Sequence, residues 1–298
     1  MAGRIAVSFL GTGSTVPSKE RAHPAIVLSF EGENVLFDCG EGTQVRIQEA
    51  GINPMKIERI FITHFHPDHF LGLPGLLSSL ELYGRKGKIE IYSPKAASEK
   101  LKKIVELSDG KLKFPIKFVP VKLSKRPLEI FKGEKYSVFS CRTFHHKPSV
   151  GYSFVEKERF HLVPEKLPEK LRGKTKEYSK IPLPKKGAKI PEYFEAERGA
   201  KITYGGDTKY CPNLVNLARD SDLLIHEATF PEENQEKAEE YFHSTPLDAA
   251  RVAKEAGAKK LVLVHFSRRV TDVSLQEASA RKIFQNAFSA KDLETIGI

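Results

Sequence analysis

The residues Ile60 to His69 read IFITHFHPDH and bring four ligand-type side chains, His64, His66, Asp68 and His69, into a single short stretch. Neutral imidazole and carboxylate are the donors that suit zinc where a reactive water must stay bound. The apolar lead-in reads as a buried strand, and a helix is expected from Phe70 onward. On an extended backbone, side chains two apart share a face. His64, His66 and Asp68 are therefore expected to converge, with a turn at Pro67-Asp68 bringing His69 round as a fourth. A shuffled chain with this histidine content would carry HxHxDH about 3 times in 10,000. A lone histidine reads as a satisfied core or surface residue; this cluster reads as a metal site. Further ligands must come from elsewhere, and three candidates stand where apolar runs end. They are His145 after Tyr136–Arg142, Asp207 after KITYGG and His265 after KKLVLV, at the carboxyl ends of strands where α/β folds place their chemistry. A zinc ion held by such donors can bring the pKa of bound water to about 7. The implied chemistry is hydrolysis.

The elements that must position these side chains are short apolar runs bounded by turns. IAVSFL, AIVLSF, NVLFDCG, IERIFITH and KIEIYSP occupy the first half, and AKITYGGD, SDLLIHEA and KKLVLVHF the second. Helical patterns intervene at Thr43 to Ala50, Leu73 to Tyr83, Ala97 to Leu107 and Pro246 to Ala256. Strands mixed with helices on this scale indicate an α/β chain whose sheets are covered by helices. From Lys166 to Lys189 the pattern breaks: nine Lys/Arg stand against two Glu, with prolines at 168, 182 and 184. This reads as an exposed arm between two strand-rich halves, either a basic loop of no consequence or a handle for a phosphate backbone.

Composition sets the outer bounds. The 298 residues carry a net charge of +10 and a pI near 9.3, a surplus that attracts polyanions such as nucleic acid. No segment approaches eighteen consecutive apolar residues, so no membrane partner is expected. The amino terminus lacks the pattern of a signal peptide. Three unclustered cysteines, Cys39, Cys141 and Cys211, argue against a disulfide framework and for a cytoplasmic protein with reduced thiols.

Taken together, the motifs resemble the metallo-β-lactamase superfamily and, within it, the ribonuclease Z family of tRNA 3′-processing endonucleases. The matching pieces are Gly11-Thr12-Gly13-Ser14, Phe37-Asp38-Cys39-Gly40-Glu41-Gly42-Thr43, THFHPDH followed by GLPGLLSS, Gly206-Asp207-Thr208, His226-Glu227-Ala228-Thr229 and His243-Ser244-Thr245. HxHxDH is specific to the superfamily, whereas HEAT followed by HST is more specific to the ribonuclease. The resemblance implies a four-layer αββα sandwich, taken as one domain over residues 1–298 with an inserted basic arm at about 157–199. It implies two zinc ions per subunit (manganese or another divalent ion being possible), precursor tRNA as substrate, and a homodimer. By resemblance, His64, His66 and His145 hold one ion, Asp68, His69 and His265 the other, and Asp207 bridges them. His145 rather than His146 follows from register, since the family's Gly-aromatic pair falls six residues on, at Gly151-Tyr152; His146 is the alternative. Asp38 reads as orienting a ligand or as a plain turn aspartate.

The family also assigns the reaction's protons. Asp68 takes one from water, and His243, held by Glu227, donates one to the departing 3′-oxygen. His226 reads as structural. Ser244/Thr245-Pro246 also reads as a helix start, and both roles for that stretch can hold at once. Substrate contacts are expected at Arg21 and at the arm lysines Lys174, Lys176, Lys185 and Lys186. Two departures from the family pattern stand out. The arm lacks the glycine-proline motif, so charge would have to replace shaped contacts, and the early loop has Ala22 where the family carries asparagine.

Overall fold

The computed structural model describes residues 4–108, 112–174, 178, 181–184 and 190–298. Its strands are β1 Ile5–Gly11, β2 Ala25–Phe30, β3 Glu33–Phe37, β4 Ile57–Phe61, β5 Ile89–Pro94, β6 Ile116–Val121, β7 Leu128–Lys132, β8 Tyr136–Arg142 and β9 Val150–Glu156. They continue as β10 Arg159–Leu162, β11 Phe194–Glu197, β12 Lys201–Tyr204, β13 Leu223–Glu227, β14 Leu261–Val264, β15 Ala287–Ser289 and β16 Glu294–Gly297. Among the described residues they form two seven-stranded sheets, ordered β16-β1-β2-β3-β4-β5-β6 and β15-β14-β13-β12-β9-β8-β7, with β10 and β11 as a separate ribbon.

Apolar residues on both faces of most strands require each sheet to be covered twice. Ile5, Val7 and Phe9 of β1 join Ile26, Leu28 and Phe30 of β2 in a core that also takes Tyr152, Ile225 and Val262 from the other sheet. The alternate residues Leu10, Ala25 and Val27 face outward, against Ile47 of α1 (Thr43–Glu49) and Leu73, Leu76 and Leu80 of α3 (Gly72–Leu82). Leu101 of α4 (Lys95–Ser108) joins the same cluster. The second sheet divides likewise. Leu224, Leu261 and Leu263 point outward to α5 (Pro212–Ala218), α7 (Pro246–Ala256) and α8 (Val273–Arg281). The result is helix, sheet, sheet, helix: the expected four-layer αββα sandwich.

Strand direction places the chemistry. β12, β13 and β14 are mutually parallel, and β8 runs with them because β9 is antiparallel to both β8 and β12. The segments that follow all four therefore emerge at one edge of the sandwich. The loops after β3 and β4, which are parallel to each other, carry Asp38 and His64–His69. Bringing these two loops together needs glycine. Cys39 N donates to His69 O at 2.8 Å and Gly72 N to Cys39 O at 2.9 Å. A Cβ at Gly72 would overlap the Gly40 carbonyl. Gly72→Ala is expected to cost about 1–3 kcal/mol or more, read as a fall in denaturation midpoint with a parallel loss of bound metal. A midpoint equal to that of the parent chain would contradict the close approach.

Two expectations need correcting. β4 stops at Phe61, so His64 and His66 lie on a loop and not on the strand, and Asp68 and His69 lie on a helical turn, α2 (Pro67–Phe70), that precedes α3. The ladder ends because Ile62 N makes the last bond to Tyr92 O, at 2.8 Å, while Thr63 N turns to the Asp38 carboxylate, also at 2.8 Å. The arm, expected to be exposed from Lys166 onward, is anchored where it is described. β10 and β11 pair antiparallel at its base, and Leu167 is fully buried.

Candidate metal centre

Every expected metal ligand arrives at this edge. The donor atoms of His64, His66, His145 and Asp207 lie within 4.8 Å of one another, as do those of Asp68, His69 and His265. Asp207 stands between the groups. Its Oδ2 is 3.7 Å from His64 Nε2 and 4.0 Å from His145 Nε2, while Oδ1 is 3.4 Å from His265 Nε2. Asp68 Oδ2 is 3.6 Å from His69 Nε2 and 3.5 Å from His265 Nε2. His146 instead sets its ring 4.5 Å from that of Phe242, and His145 Nε2 is 3.1 Å from His66 Nδ1.

A second layer of hydrogen bonds aims the imidazoles. Asp38, fully buried at φ 55, accepts from Thr63 N, Tyr204 Oη at 2.9 Å and His69 Nδ1 at 2.8 Å. His145 Nδ1 meets the Phe242 carbonyl at 2.9 Å. Thr229 Oγ1 donates to Glu227 Oε2 at 2.5 Å and so accepts from His265 Nδ1 at 2.8 Å. Nδ1 is engaged as a donor in all three rings, which turns each Nε2 toward the cluster, the orientation metal-binding histidines use. Thr63, Tyr204 and Thr229 were not singled out from the sequence. Thr229 is the last letter of the HEAT motif and could have been; Tyr204 had no local signal.

The electrostatics favour a cation. Burial, reinforced by neighbouring imidazoles, holds His64 well below its ordinary range and His66 at about 4, and burial lowers His145 as well. These rings are neutral at neutral pH. Burial alone would raise the carboxyl of Asp68, but His69 and His265 bring it to about 2. Burial likewise opposes the charge on Asp207, yet His265 and His69 hold it well below the carboxylate range. His69 is the exception: burial disfavours its proton, and Asp207, Asp38 and Asp68 outweigh burial and push it well up. Buried carboxylates among neutral rings demand positive charge. Asp207 Oδ1 is buried without a hydrogen-bond partner among the described residues. The donor set therefore fits divalent ions.

Beside these ligands stands a second device. His243 follows α6 (Gln235–Glu240), and its Nδ1 donates to Glu227 Oε1 at 2.9 Å. Glu227 also accepts from Thr208 N at 2.7 Å and Ser244 N at 3.1 Å, which fixes its carboxylate. Burial works against charging His243, but Glu227 and then Asp207 carry it up to about 9. Thr245 caps α7 in a capping box with Asp248, and Pro246 opens the helix, so histidine and helix start coexist. A cavity of about 450 Å³ takes in His66, Asp68, His145, Asp207 and His243. His226 is fully buried, with Nδ1 at 2.8 Å from the Glu227 carbonyl.

The expected substrate contacts fare differently. Arg21 turns inward: its Nη2 donates to the carbonyls of Val270 at 2.5 Å and Ser267 at 3.3 Å. It holds the loop that carries Arg268 and Arg269 into the cavity, whose lining does not include Arg21 itself. Arg268 and Arg269 went unremarked in the sequence because adjacent arginines after a strand look like ordinary surface. Lys174 is exposed. Lys176, Lys185 and Lys186 lie outside the described residues. Asp292 also went unforeseen. It accepts from Thr12 N, Ala22 N and Arg46 Nη2 at 2.8–2.9 Å and so pins the early loops from the far end of the chain.

Comparison with known proteins agrees with this geometry. Residues 5–168 match a family model described as Anti-Pycsar protein Apyc1, and residues 188–266 one described as Beta-lactamase superfamily domain. Ribonuclease Z of Methanosarcina mazei is 38% identical over 296 residues, 96% of each chain. Ribonuclease Z of Enterococcus faecalis is 40% identical, covering 98% of this chain and 97% of its own. Human tRNase Z, short form, superposes with a TM-score of 0.74 at 33% identity over 98% of this chain and 99% of that one. The metallo-β-lactamase fold protein YhfI of Bacillus subtilis, at 18% identity and TM-score 0.72 over 98% of this chain and 99% of that one, shares the fold. Full-length identity of this order, on this fold, places the chain in the ribonuclease Z family of metallo-β-lactamase-fold hydrolases.

Proposed function

We propose that this chain is a zinc-dependent endoribonuclease that cuts precursor tRNA on its 3′ side and leaves a 3′-hydroxyl on the tRNA. The observation that carries this reading is the His243–Glu227 pair, 2.9 Å apart, opening on the same cavity as the metal-ligand cluster. His64, His66 and His145 would hold one ion, Asp68, His69 and His265 the other, and Asp207 both. Bound there, two divalent ions acidify water and neutralise charge building on the phosphodiester. Asp68, ionised, accepts the proton of the attacking water. His243 gives its Nε2 proton to the departing 3′-oxygen, while Glu227 keeps the ring oriented and charged. Arg268 and Arg269 steady the backbone phosphates flanking the cut. Manganese or another divalent ion could fill the same ligands.

The further elements of the proposal are one domain with an arm at about 157–199, a homodimer and a cytoplasmic setting. Among the described residues no helix is long and apolar enough to cross a membrane. Mapping the ends produced from one precursor tRNA by purified protein with zinc tests the assignment: a single cut leaving a 3′-hydroxyl on the tRNA is expected. Turnover of bis(p-nitrophenyl) phosphate without any RNA cut would point to a small anionic substrate.

The arm offers a separate check. Lys166 is paired with Glu195 at 2.8 Å and Leu167 is buried, so the replacement starts beyond them. Replacing residues 172–189 by a short Gly-Ser linker removes seven Lys/Arg and one Glu. The kcat/KM for precursor tRNA is then expected to fall at least tenfold and its salt dependence to flatten, with bis(p-nitrophenyl) phosphate turnover retained. Equal loss on both substrates, or on neither, would remove the arm from the RNA interface.

A further inference from the structure

The catalytic cavity shares Phe230, Ser267 and Arg269 with a second cavity of about 670 Å³, set between the 230–237 segment and α8. That volume lies in the roughly 300–1,000 Å³ range of sites that enclose small organic ligands. Its charges balance: Glu232, Glu233 and Asp272 against Lys237, Arg269 and Lys282. Glu232 is already closed on Lys282 at 2.6 Å and on the Ser279 hydroxyl. Such a wall gives a phosphate little net attraction and sets Glu233 and Asp272 against it. A neutral, flat group rich in hydrogen-bonding edges meets no such penalty. Gln276, only 2% exposed, lines the cavity, and its amide Nε2 has no hydrogen-bond partner among the described residues. A buried polar group without a partner needs an explanation, and a ligand is one.

The wall between the two cavities is aromatic. The Phe230 ring lies 6.0 Å from the ring of His243 and 6.1 Å from that of Tyr241, nearly parallel to the latter. Tyr241 is 52% exposed and also faces the catalytic cavity. His243 stands where the leaving oxygen must be, so the nucleotide bearing that oxygen is the one beside Phe230. An unpaired base leaves its stack at small cost and is held by aromatic faces and edge hydrogen bonds.

We propose that the second cavity is a nucleobase subsite, taking the base of the nucleotide immediately 5′ to the cut across Phe230. This rests on the precursor-tRNA reading and deepens it. The subsite holds the ribose whose 3′-oxygen departs against His243, and so sets which phosphodiester is cut.

The test uses full-length Ala278→Trp, which fills the cavity from an exposed position on α8, and Phe230→Leu, which removes the aromatic face. Each is assayed on an intact precursor and on precursors abasic 5′ or 3′ to the cut. Both variants are expected to lose roughly tenfold to a hundredfold in kcat/KM on the intact precursor, the effect of one stacked base. On the 5′-abasic precursor their loss relative to the parent protein should fall to within about threefold. Equal loss on all three substrates, no loss on any, or cancellation only with the 3′-abasic precursor would overturn the subsite. Failure of the parent protein to cut any precursor while hydrolysing bis(p-nitrophenyl) phosphate would instead overturn the tRNA reading itself.

Discussion

Asp207→Ala is expected to lower turnover of precursor tRNA and of bis(p-nitrophenyl) phosphate alike, by at least about a thousandfold. Asp207 meets imidazoles of both groups, with Oδ2 3.7 Å from His64 Nε2 and 3.4 Å from His69 Nε2 and Oδ1 3.4 Å from His265 Nε2. Removing it takes a negative charge from both proposed sites at once, which no other single substitution does. Metal content measured on the purified variant should fall along with activity. Asp207→Asn keeps the volume and one oxygen but not the charge, so it separates packing from electrostatics. If the asparagine variant bound metal and turned over like the parent, the bridging role would be lost.

His243→Ala should divide the substrates instead. General acid catalysis contributes about 10²–10⁴-fold, and a ribose 3′-oxygen is a poor leaving group that needs the proton. Nitrophenolate departs readily without one. A loss of about 10²–10⁴-fold on precursor tRNA is therefore expected beside a far smaller loss on bis(p-nitrophenyl) phosphate, and the RNA loss should appear in kcat more than in KM. Glu227→Gln should cost about 10–100-fold on RNA. An amide there sets an N–H against Thr208 N, Ser244 N, Thr229 Oγ1 or His243 Nδ1, each a donor to the carboxylate. Because Thr229 links Glu227 to His265, this variant should also weaken metal retention, which His243→Ala should not. Equal losses on the two substrates for His243→Ala would remove the histidine from proton donation.

How much of this could be read from residues alone differs by level. The strands Ala25–Phe30 and Tyr136–Arg142 and the helix Pro246–Ala256 coincide with their apolar patterns, since burial on fixed faces writes a fixed period. Strands β6 and β7 were missed because only half their length is shielded and charged residues interrupt them. The cluster His64–His69 was legible because its ligands are local, though its backbone was not. The strand gives way to a loop once Asp38 captures Thr63 N, a contact spanning 25 positions that no window of sequence contains. His145, Asp207 and His265 were placed by the rule that chemistry sits at carboxyl strand ends, and the parallel β12–β14 arrangement explains why that rule applies here. The carbonyl contacts of Arg21 were not legible, because a cationic side chain in a loop looks free until the loop it anchors is folded over it. Asp292 and Tyr204 act through pairings that only the sandwich creates.

The most direct measurement is anomalous diffraction at the zinc edge from crystals of the zinc-loaded protein. Two peaks are expected, one among His64, His66 and His145 and one among Asp68, His69 and His265, with Asp207 touching both. A single peak, or density away from these side chains, would contradict the paired-ion account and the hydrolysis built on it.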